Sequence, residues 1–302
     1  MRVLITGGTG LIGSALIRSL RDSNSEITVL TRSPDRHQGL TQSGVRLVRW
    51  DGATAEGWGH LASQVDTVVN LAGEGIADGR WSTARKERIR ESRVRAGNAL
   101  VSAIRDAESV PRTLIQSSAV GYYGPGADEI MTEQTSAGED FLASVCSEWE
   151  TSTAEVEAMG VRRVVIRTGV VLSSEGGALP RMTLPFRLFA GGPLGSGKQY
   201  FPWIHIADEV AAIRFLMENE RASGPYNLAA PNPPQNREFV RDLGRAMGRP
   251  SLLPTPSFAL QALFGEMSTV LLDGQRAVPA RLQEDGYAFI FPETVAALRD
   301  LV

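Results

Sequence analysis

Cysteine, lysine and long hydrophobic runs are scarce in this 302-residue sequence. Its one cysteine, Cys146, cannot form an internal disulfide, and its three histidines lie far apart, so we expect neither a disulfide scaffold nor a metal site. No stretch approaches the roughly 18 consecutive apolar residues of a membrane span. Glycines interrupt the apolar N-terminus before a signal-peptide core forms, so we expect a cytoplasmic protein.

An excess of charge of one sign is also absent. The chain carries 31 Lys and Arg against 34 Asp and Glu, a formal net charge of -3, without blocks of like charge. This balance argues against nucleic acid or an anionic membrane as the partner and leaves a small-molecule substrate. With 42% hydrophobic residues, the chain can bury a large core in one elaborated domain or two.

Short β-branched runs alternate with helical patterns through the first half of the chain, as in a parallel sheet covered by helices. The predicted strands are 3–6, 27–30, 45–50, 67–70, 113–117 and 163–167, and the main predicted helices are 11–20, 82–106 and 140–159. Right-handed crossovers join such strands. The predicted fold class is therefore α/β, with a Rossmann-type doubly wound parallel sheet.

The sequence changes character at about Ser173, where a stretch punctuated by glycine and proline begins. Helical periodicity returns at 206–217, and a short strand follows at 226–228. We predict a nucleotide-binding core at 1–171, with return segments near 204–230. The remaining residues, 172–203 and 231–302, would form a smaller, mostly helical C-terminal lobe on the substrate side.

A glycine-rich turn lies between the first strand and the first helix, formed by Gly7, Gly8, Thr9, Gly10, Leu11, Ile12 and Gly13. Glycines in this position let the backbone approach a pyrophosphate, whose charge is held by N–H groups and the positive end of the helix. A merely structural turn is the alternative. Because the turn opens a βαβ pattern, it predicts dinucleotide binding.

The end of the second strand distinguishes the two common dinucleotides. An NAD site usually places Asp or Glu about 20 residues after the glycines, whereas the 2′-phosphate of NADP calls for Arg. Here the strand ends in Thr31 and Arg32, with no carboxylate before Asp35. The pair favours NADP over a solvated loop arginine, because the planar guanidinium suits bidentate phosphate recognition.

The fourth strand ends in Asn70, Leu71, Ala72 and Gly73, whose small residues would let the chain pass close to the nicotinamide-side ribose. In the basic helix that follows, Lys86, Ile89 and Arg93 recur at helical spacing and share one face. A cation that faces inward there would need an anionic partner. A solvated, salt-bridged helix is the alternative.

Several motifs resemble those of extended short-chain dehydrogenases/reductases. They are Gly-Gly-Thr-Gly-x-Ile-Gly at 7–13, Asn-x-Ala-Gly at 70–73, Ser117-Ser118-Ala119 before Tyr122-Tyr123-Gly124, and Trp203 to Asp208. More narrowly, the chain resembles the atypical epimerase family proteins described as nucleoside-diphosphate-sugar epimerases. The narrower markers are Arg80-Trp81, Arg85-Lys86, Ser92-Arg93, Trp149-Glu150, the glycine-rich segment 191–197 and the C-terminal segment from about Pro250.

The resemblance covers essentially the whole chain and implies a Rossmann fold with NADP as the cofactor. A nucleotide sugar, or another carbonyl or hydroxyl compound, would be the substrate. The residues implied to bind the cofactor are Gly7 to Gly13, Thr31, Arg32, Leu71, Ala72, Arg93 and the loop near Val171.

The catalytic pair of active short-chain dehydrogenases is missing. Those enzymes use a Tyr that gives or takes the proton and a Lys four residues later that lowers the pKa of its hydroxyl. None of the five tyrosines here has Lys at that spacing, and the helix expected to carry the pair has Leu142 and Cys146 instead. Surviving chemistry would need Tyr122 or Tyr123 as the acid, Ser118 as its hydrogen-bond partner and Lys86 as the charge. Otherwise the tyrosines are aromatic packing.

Two functions therefore stay open. One is an NADP-dependent oxidoreductase or epimerase with a non-standard proton donor, favoured by Ser118 and by the polar glycine-rich loop 191–199. The other is a catalytically weak or inactive NADP-binding sensor or structural protein, favoured by the missing pair.

Three further features have simpler interpretations. Residues 192–199 resemble a phosphate-binding P-loop, but Gln199 replaces the Ser or Thr that binds magnesium. A phosphate loop on the substrate side is therefore favoured over a P-loop. His205 precedes a predicted helix start with Asp208 near its N-cap and is expected to be structural. Cys146 is expected to be an inert core thiol.

Overall fold

The computed structural model describes residues 1–302 as eleven strands and eleven α-helices. The strands are β1 (Arg2–Thr6), β2 (Glu26–Thr31), β3 (Arg46–Arg49), β4 (Thr67–Asn70), β5 (Thr113–Ala119), β6 (Ile130–Met131), β7 (Arg162–Thr168), β8 (Val170–Leu172), β9 (Trp203–His205), β10 (Gly224–Leu228) and β11 (Arg276–Ala277). The helices are α1 (Leu11–Asp22), α2 (Gln38–Gln42), α3 (Thr83–Arg105), α4 (Phe141–Thr151), α5 (Leu179–Arg187), α6 (Ile206–Glu218), α7 (Asn236–Met247), α8 (Ser257–Phe264), α9 (Thr269–Leu272), α10 (Ala280–Glu284) and α11 (Thr294–Leu301).

Seven strands form one parallel sheet in the order β10-β7-β5-β4-β1-β2-β3. The order reverses between β1 and β4, because the chain runs from β1 toward one edge and then returns to build the other half. In open sheets of this kind, a crevice for ligands lies at the carboxyl ends of the two strands where the order reverses. The predicted α/β class and Rossmann-type sheet are confirmed.

The sheet is buried on both faces, as a parallel sheet requires. On one face α1 and α6 pack against it, and their apolar residues form a single cluster of 23 buried residues with those of the strands. On the other face α3 packs against the sheet and contributes six of the 17 residues of a second buried cluster. These two layers hold the strand ends, and therefore the crevice, in place.

The boundaries differ from the sequence expectation mainly at the ends of elements. The helix expected over 140–159 is broken, since α4 ends at Thr151 and a 3₁₀ turn occupies Ala154–Met159. The short strand expected at 226–228 becomes β10, the outermost strand beside β7. None of the helices is long and apolar enough to cross a bilayer.

The residues between β8 and β9, together with those after β10, add a mostly helical region to the sheet. Two small parallel strand pairs, β8 with β9 and β6 with β11, connect this region to the core. A third cluster of ten buried residues, drawn mainly from α5, α7 and α11, lies within it. The boundaries predicted for the core and the lobe stay a prediction.

Candidate functional site

The glycine-rich turn forms one wall of the crevice at the reversal point. Gly7 has φ +66°, a left-handed conformation that suits glycine, and its carbonyl accepts a hydrogen bond from Gly10 N at 3.0 Å. A Cβ on Gly7 would lie 2.5 Å from the Leu71 carbonyl oxygen, on the other wall. Glycine here therefore lets the two walls meet closely.

The turn is also shaped to receive a ligand at the start of α1. A Cβ on Gly8 would meet Val29 Cγ1 at 2.8 Å, and one on Gly13 would meet Gly8 Cα at 2.6 Å. Gly10 caps α1 without any side-chain hydrogen bond, which leaves the N–H groups of the first turn available. Close backbone approach and free N–H groups at a helix N-terminus fit a dinucleotide pyrophosphate.

Arginines gather at the end of β2, where the outer ribose of a dinucleotide would lie. Arg32 is exposed and forms no ion pair, while the neighbouring Thr31 is buried and its hydroxyl accepts a hydrogen bond from Ser33 N at 3.3 Å. Arg49 stands beside Thr31 in strand register and pairs with Asp35 at 2.8 Å. The first carboxylate after β2 therefore neutralises Arg49 and leaves Arg32 free.

The wall formed by the end of β4 is held by a buried polar chain. Thr6 Oγ1 donates to Asn70 Oδ1 at 2.6 Å, and Asn70 Nδ2 donates to Gln116 Oε1 at 2.9 Å. Ala72 N donates to Thr6 Oγ1 at 3.2 Å, so Leu71 and Ala72 are held at the crevice. These contacts cross β1, β4 and β5 at their carboxyl ends.

Arg93 reaches from α3 to the same wall. A Cβ on Gly73 would lie 3.1 Å from Arg93 Cζ, so the guanidinium packs tightly against the backbone at this glycine. Arg93 Nη1 donates to the carbonyls of Ile89 at 2.8 Å and Glu74 at 3.0 Å, and its Cζ lies 4.9 Å from the Trp149 ring centroid. Burial lowers the pKa of Arg93. A half-buried cation without a carboxylate partner can bind an anionic ligand group.

Val171 lies in β8, in register with Ile204 of β9. The segment after β8 covers the start of α1, because a Cβ on Gly177 would lie 2.9 Å from Leu11 Cδ2 and Glu175 pairs with Arg18 at 2.7 Å. This segment therefore packs along α1, next to the glycine-rich turn.

Ser118, at the end of β5, belongs to a buried ionic network. Its hydroxyl donates to Glu150 Oε1 at 2.7 Å, and Arg167 donates to both oxygens of the same carboxylate at 2.9 Å. Burial lowers the pKa of Arg167, but its hydrogen bonds and ion pair with Glu150 more than offset this and raise it. The Arg167 guanidinium therefore stays charged, and the one proton of Ser118 points toward the Glu150 carboxylate.

The two adjacent tyrosines have different environments. Tyr123 is 4% exposed; its hydroxyl donates to Asn227 Oδ1 at 2.7 Å and accepts from Arg167 Nη1 at 3.1 Å. Burial raises the pKa of Tyr123 to about 12. Tyr122 is half-buried with Arg167 Cζ 3.5 Å from its ring centroid, and no hydrogen bond within the protein engages its hydroxyl. Only Tyr122 has a hydroxyl free for a ligand.

Lys86 lies away from this network. Its Nζ pairs with Glu266 Oε1 at 2.6 Å and lies 4.5 Å from the Phe141 ring centroid. The anionic partner expected for this face of α3 is therefore a carboxylate of the C-terminal region, rather than a ligand.

The helix expected to carry a Tyr-Lys pair is α4, and its crevice side presents Leu142 and Cys146. A Cβ on Gly121 would lie 3.5 Å from Leu142 Cβ and 3.9 Å from Cys146 Sγ. Burial, followed by the Glu150 charge, raises the pKa of Cys146 to about 11. The thiol is therefore protonated and buried, in agreement with an inert core role.

Two other predicted features are used in packing. His205 is itself the N-cap of α6, in place of Asp208: its Nδ1 accepts from Ala207 N at 3.0 Å, and burial lowers its pKa. In the loop 192–199, the N–H groups of Leu194, Gly195 and Gly197 donate to protein oxygens at 2.9, 2.9 and 3.0 Å. Those amides are unavailable to a phosphate.

Sequence reasoning missed four residues of the site region: Arg49, Glu150, Arg167 and Asn227. Strand register places Ser118 beside Arg167 and Arg167 beside Asn227, which forms a polar row across β5, β7 and β10. The available signal was an arginine and an asparagine near the ends of otherwise apolar strands. Glu150 was noted only as a family marker.

Comparison with known proteins gives matches along the whole chain. The model of the NAD-dependent epimerase/dehydratase family matches residues 3–229, and a domain of unknown function (DUF1731) matches residues 255–301. An epimerase family protein of Staphylococcus aureus is 40% identical over 301 residues, 99% of this chain and 98% of that protein. The crystal structure of human epimerase family protein SDR39U1 with NADPH is 36% identical with a TM-score of 0.88, and the match covers 100% of this chain and 99% of the human chain. A nucleoside-diphosphate sugar epimerase of Corynebacterium glutamicum is 33% identical with a TM-score of 0.76, covering 99% of this chain and 57% of that one.

Proposed function

The chain belongs to the NAD-dependent epimerase/dehydratase family, and on that premise we propose that it is an NADP(H)-dependent oxidoreductase or epimerase acting on a nucleotide sugar. The glycine-rich turn and the N-terminus of α1 would hold the pyrophosphate, and Arg32 the 2′-phosphate. Leu71, Ala72, Gly73, Arg93 and the loop near Val171 would line the nicotinamide side.

The observation that carries the choice of NADP over NAD is the unpaired guanidinium of Arg32. An Asp or Glu at this position would bind the ribose hydroxyls of NAD and repel a 2′-phosphate. Here the first carboxylate, Asp35, is paired with Arg49, and Arg32 projects into solvent beside Thr31. The crystal structure of the human relative SDR39U1 with NADPH supports the same choice.

Calorimetric titration with NADPH and NADH tests the cofactor. We expect NADPH to bind more tightly, and Arg32→Ala to weaken NADPH binding by about 10- to 100-fold, as expected for a lost charge-assisted hydrogen bond, with little effect on NADH. Arg36→Ala is the matched control, since Arg36 is also exposed and unpaired one turn away. Tighter binding of NADH than of NADPH by the unmodified protein would exclude this role of Arg32.

When bound, NADP(H) would supply or accept a hydride, and the protein would have to handle the accompanying proton. We assign that proton to Tyr122, because its hydroxyl has no partner within the protein, whereas the Tyr123 hydroxyl is bound by Arg167 and Asn227. Arg167 stacks on the Tyr122 ring and would hold it in place. Because the Ser118 hydroxyl donates to Glu150, its oxygen could only accept a hydrogen bond from the substrate.

Paired substitutions test the assignment. Incubation of the holoprotein with a panel of nucleotide sugars, followed by absorbance and product stereochemistry, measures net redox change and epimerisation. We expect Tyr122→Phe to abolish turnover. Tyr123→Phe should mainly lower the stability of the protein, because Asn227 and Arg167 each lose a hydrogen bond to the Tyr123 hydroxyl. Loss of turnover in Tyr123→Phe alone would reverse the assignment.

A second candidate is an NADP(H)-binding protein without turnover, such as a sensor. Leu142 and Cys146 at the positions of the usual pair, and the inward-facing Ser118 proton, favour it. Tight NADPH binding with no conversion of any compound in the panel would support this candidate, and conversion of any one would exclude it.

A further inference from the structure

The loop after β4 leaves the sheet at the crevice and is anchored at its base to α3. Glu74 is the anchor: its N–H donates to Ser92 Oγ at 3.0 Å, its carboxylate accepts from Arg85 at 3.0 Å, and its carbonyl accepts from Arg93 at 3.0 Å. Three separate bonds from one helix therefore hold the residue at which the loop begins.

The tip of the same loop is held by a different helix. Arg181 of α5 donates to the Ala77 carbonyl at 2.8 Å and to Asp78 Oδ1 at 3.0 Å. The helix α5 follows the segment that covers the start of α1 through Gly177 and Glu175. The loop therefore runs from one wall of the crevice toward the segment that packs on α1 at the other wall.

The contact at the tip is weak in comparison with the base. The side chains of Arg181 and Asp78 are 62% and 57% exposed, so water screens their attraction. Glycines flank the tip at 75 and 79, and Gly79 has φ +152°, which favours glycine. Trp81 anchors the far end of the loop, because its Nε1 donates to the Ile76 carbonyl at 2.9 Å and its ring lies 5.1 Å from that of Phe141. Two anchored ends, two glycines and an exposed tip contact are the features of a loop whose tip can open.

We infer that residues 75–81 form a lid over the cofactor crevice and that Arg181 is the positioning residue that holds the lid closed. Arg181 acts through Ala77 and Asp78 rather than on the ligand. The identity of the ligand under the lid rests on the proposed function, but the contact between Arg181 and the lid does not.

Binding kinetics show whether Arg181 holds the lid closed or contacts the ligand itself. Stopped-flow fluorescence of NADPH is compared for the unmodified protein, Arg181→Ala and the control Arg187→Ala, which changes an exposed, unpaired arginine on the same helix. We expect Arg181→Ala to raise both the association and the dissociation rate about fivefold, which corresponds to about 1 kcal/mol. The dissociation constant should stay within about twofold. Unchanged rates would overturn the inference, and so would a rise in the dissociation rate alone, which would indicate direct contact with the cofactor.

Amide hydrogen exchange in the ligand-free protein separates failure of the lid from failure of the proposed function. We expect exchange in a peptide covering 75–81 to accelerate about fivefold in Arg181→Ala and in Asp78→Asn, but not in Arg187→Ala. The reversed pair, Asp78→Arg with Arg181→Asp, should restore at least half of the protection, which loss of a merely structural side chain would not allow. Unchanged exchange in both single variants would refute the lid even if NADPH binds, and accelerated exchange would support it even if NADPH does not.

Discussion

Glu209 makes protein stability depend on pH between about 4.5 and 8. Its side chain is fully buried at the start of α6, Oε1 accepts a hydrogen bond from Thr168 Oγ1 at 2.9 Å, and Oε2 has no partner. Burial raises the pKa of Glu209 from 4.5 to about 8. The folded protein therefore binds a proton at neutral pH that the unfolded chain releases.

The sign and size of the effect follow from this difference in proton binding. Below pH 4.5 both states are protonated, so the full stabilisation is present; between 4.5 and 8 only the folded state is protonated, and stability falls as pH rises. Each pH unit in this window costs about 1.4 kcal/mol, so the upper limit is about 5 kcal/mol by pH 8. Above pH 8 both states are ionised and this contribution stays lost.

Replacing Glu209 with Gln removes the titration and keeps the shape of the side chain. Urea unfolding at intervals from pH 5 to 8.5 gives the free energy of unfolding of each protein. We expect Glu209→Gln to equal the unmodified protein near pH 5 and to exceed it by several kcal/mol at pH 8. Glu218→Gln is the control, because Glu218 is exposed at the other end of the same helix. Parallel pH curves for the unmodified protein and Glu209→Gln would refute the reasoning.

Three further changes test the site and its supports. Gly7→Ala should abolish NADPH binding and lower the free energy of unfolding by about 2 kcal/mol or more, because it adds a steric clash to a positive φ. The control Gly44→Ala, which has a positive φ but open space around it, should lower the free energy of unfolding by about 1 kcal/mol, as measured by thermal unfolding. Glu150→Gln should lower the free energy of unfolding, measured in urea, by about 3 to 5 kcal/mol, because it leaves the buried Arg167 guanidinium without its anion. The Cys146 thiol, buried and with its pKa raised to about 11, should not react with a thiol reagent at pH 8 in the folded protein, but one thiol per chain should react in denaturant.

The parts of the fold that were predictable from sequence depend on neighbours along the chain. The glycine-rich turn follows a short β-branched run and precedes an amphipathic stretch, so strand, turn and helix were predictable together. The same holds for β4 and β5, whose apolar residues are continuous because both faces of the sheet are covered. Thr31 and Arg32 could be placed at the site for the same reason, since they lie at the end of β2, the strand that follows α1.

The partners of site residues were not predictable where they come from distant segments. Helical spacing placed Lys86 on an inward face that needs an anion, but not that Glu266, 180 positions away, supplies it. The Ser118 hydroxyl meets Glu150 and, through it, Arg167, because strand register and the packing of α4 bring three separate elements together. Local sequence patterns do not reveal that register, so the sequence predicts Ser118 as the hydrogen-bond partner of a tyrosine and gives no role to Arg167.

The absence of the Tyr-Lys pair is consistent with the charges that surround its place on α4. Leu142, Cys146 and Glu150 follow one another at four-residue spacing along the helix. The Glu150 charge raises the pKa of the Cys146 thiol, and the Arg93 charge lowers it. A lysine at 146 would face Arg93, while the carboxylate that could neutralise it already binds Ser118 and Arg167. A buried lysine at 146 would therefore lack an anion of its own, and an uncompensated buried charge is strongly destabilising. Since Leu142 stands at the tyrosine position of α4, a proton donor for any surviving chemistry would come from outside this helix, where Tyr122 lies.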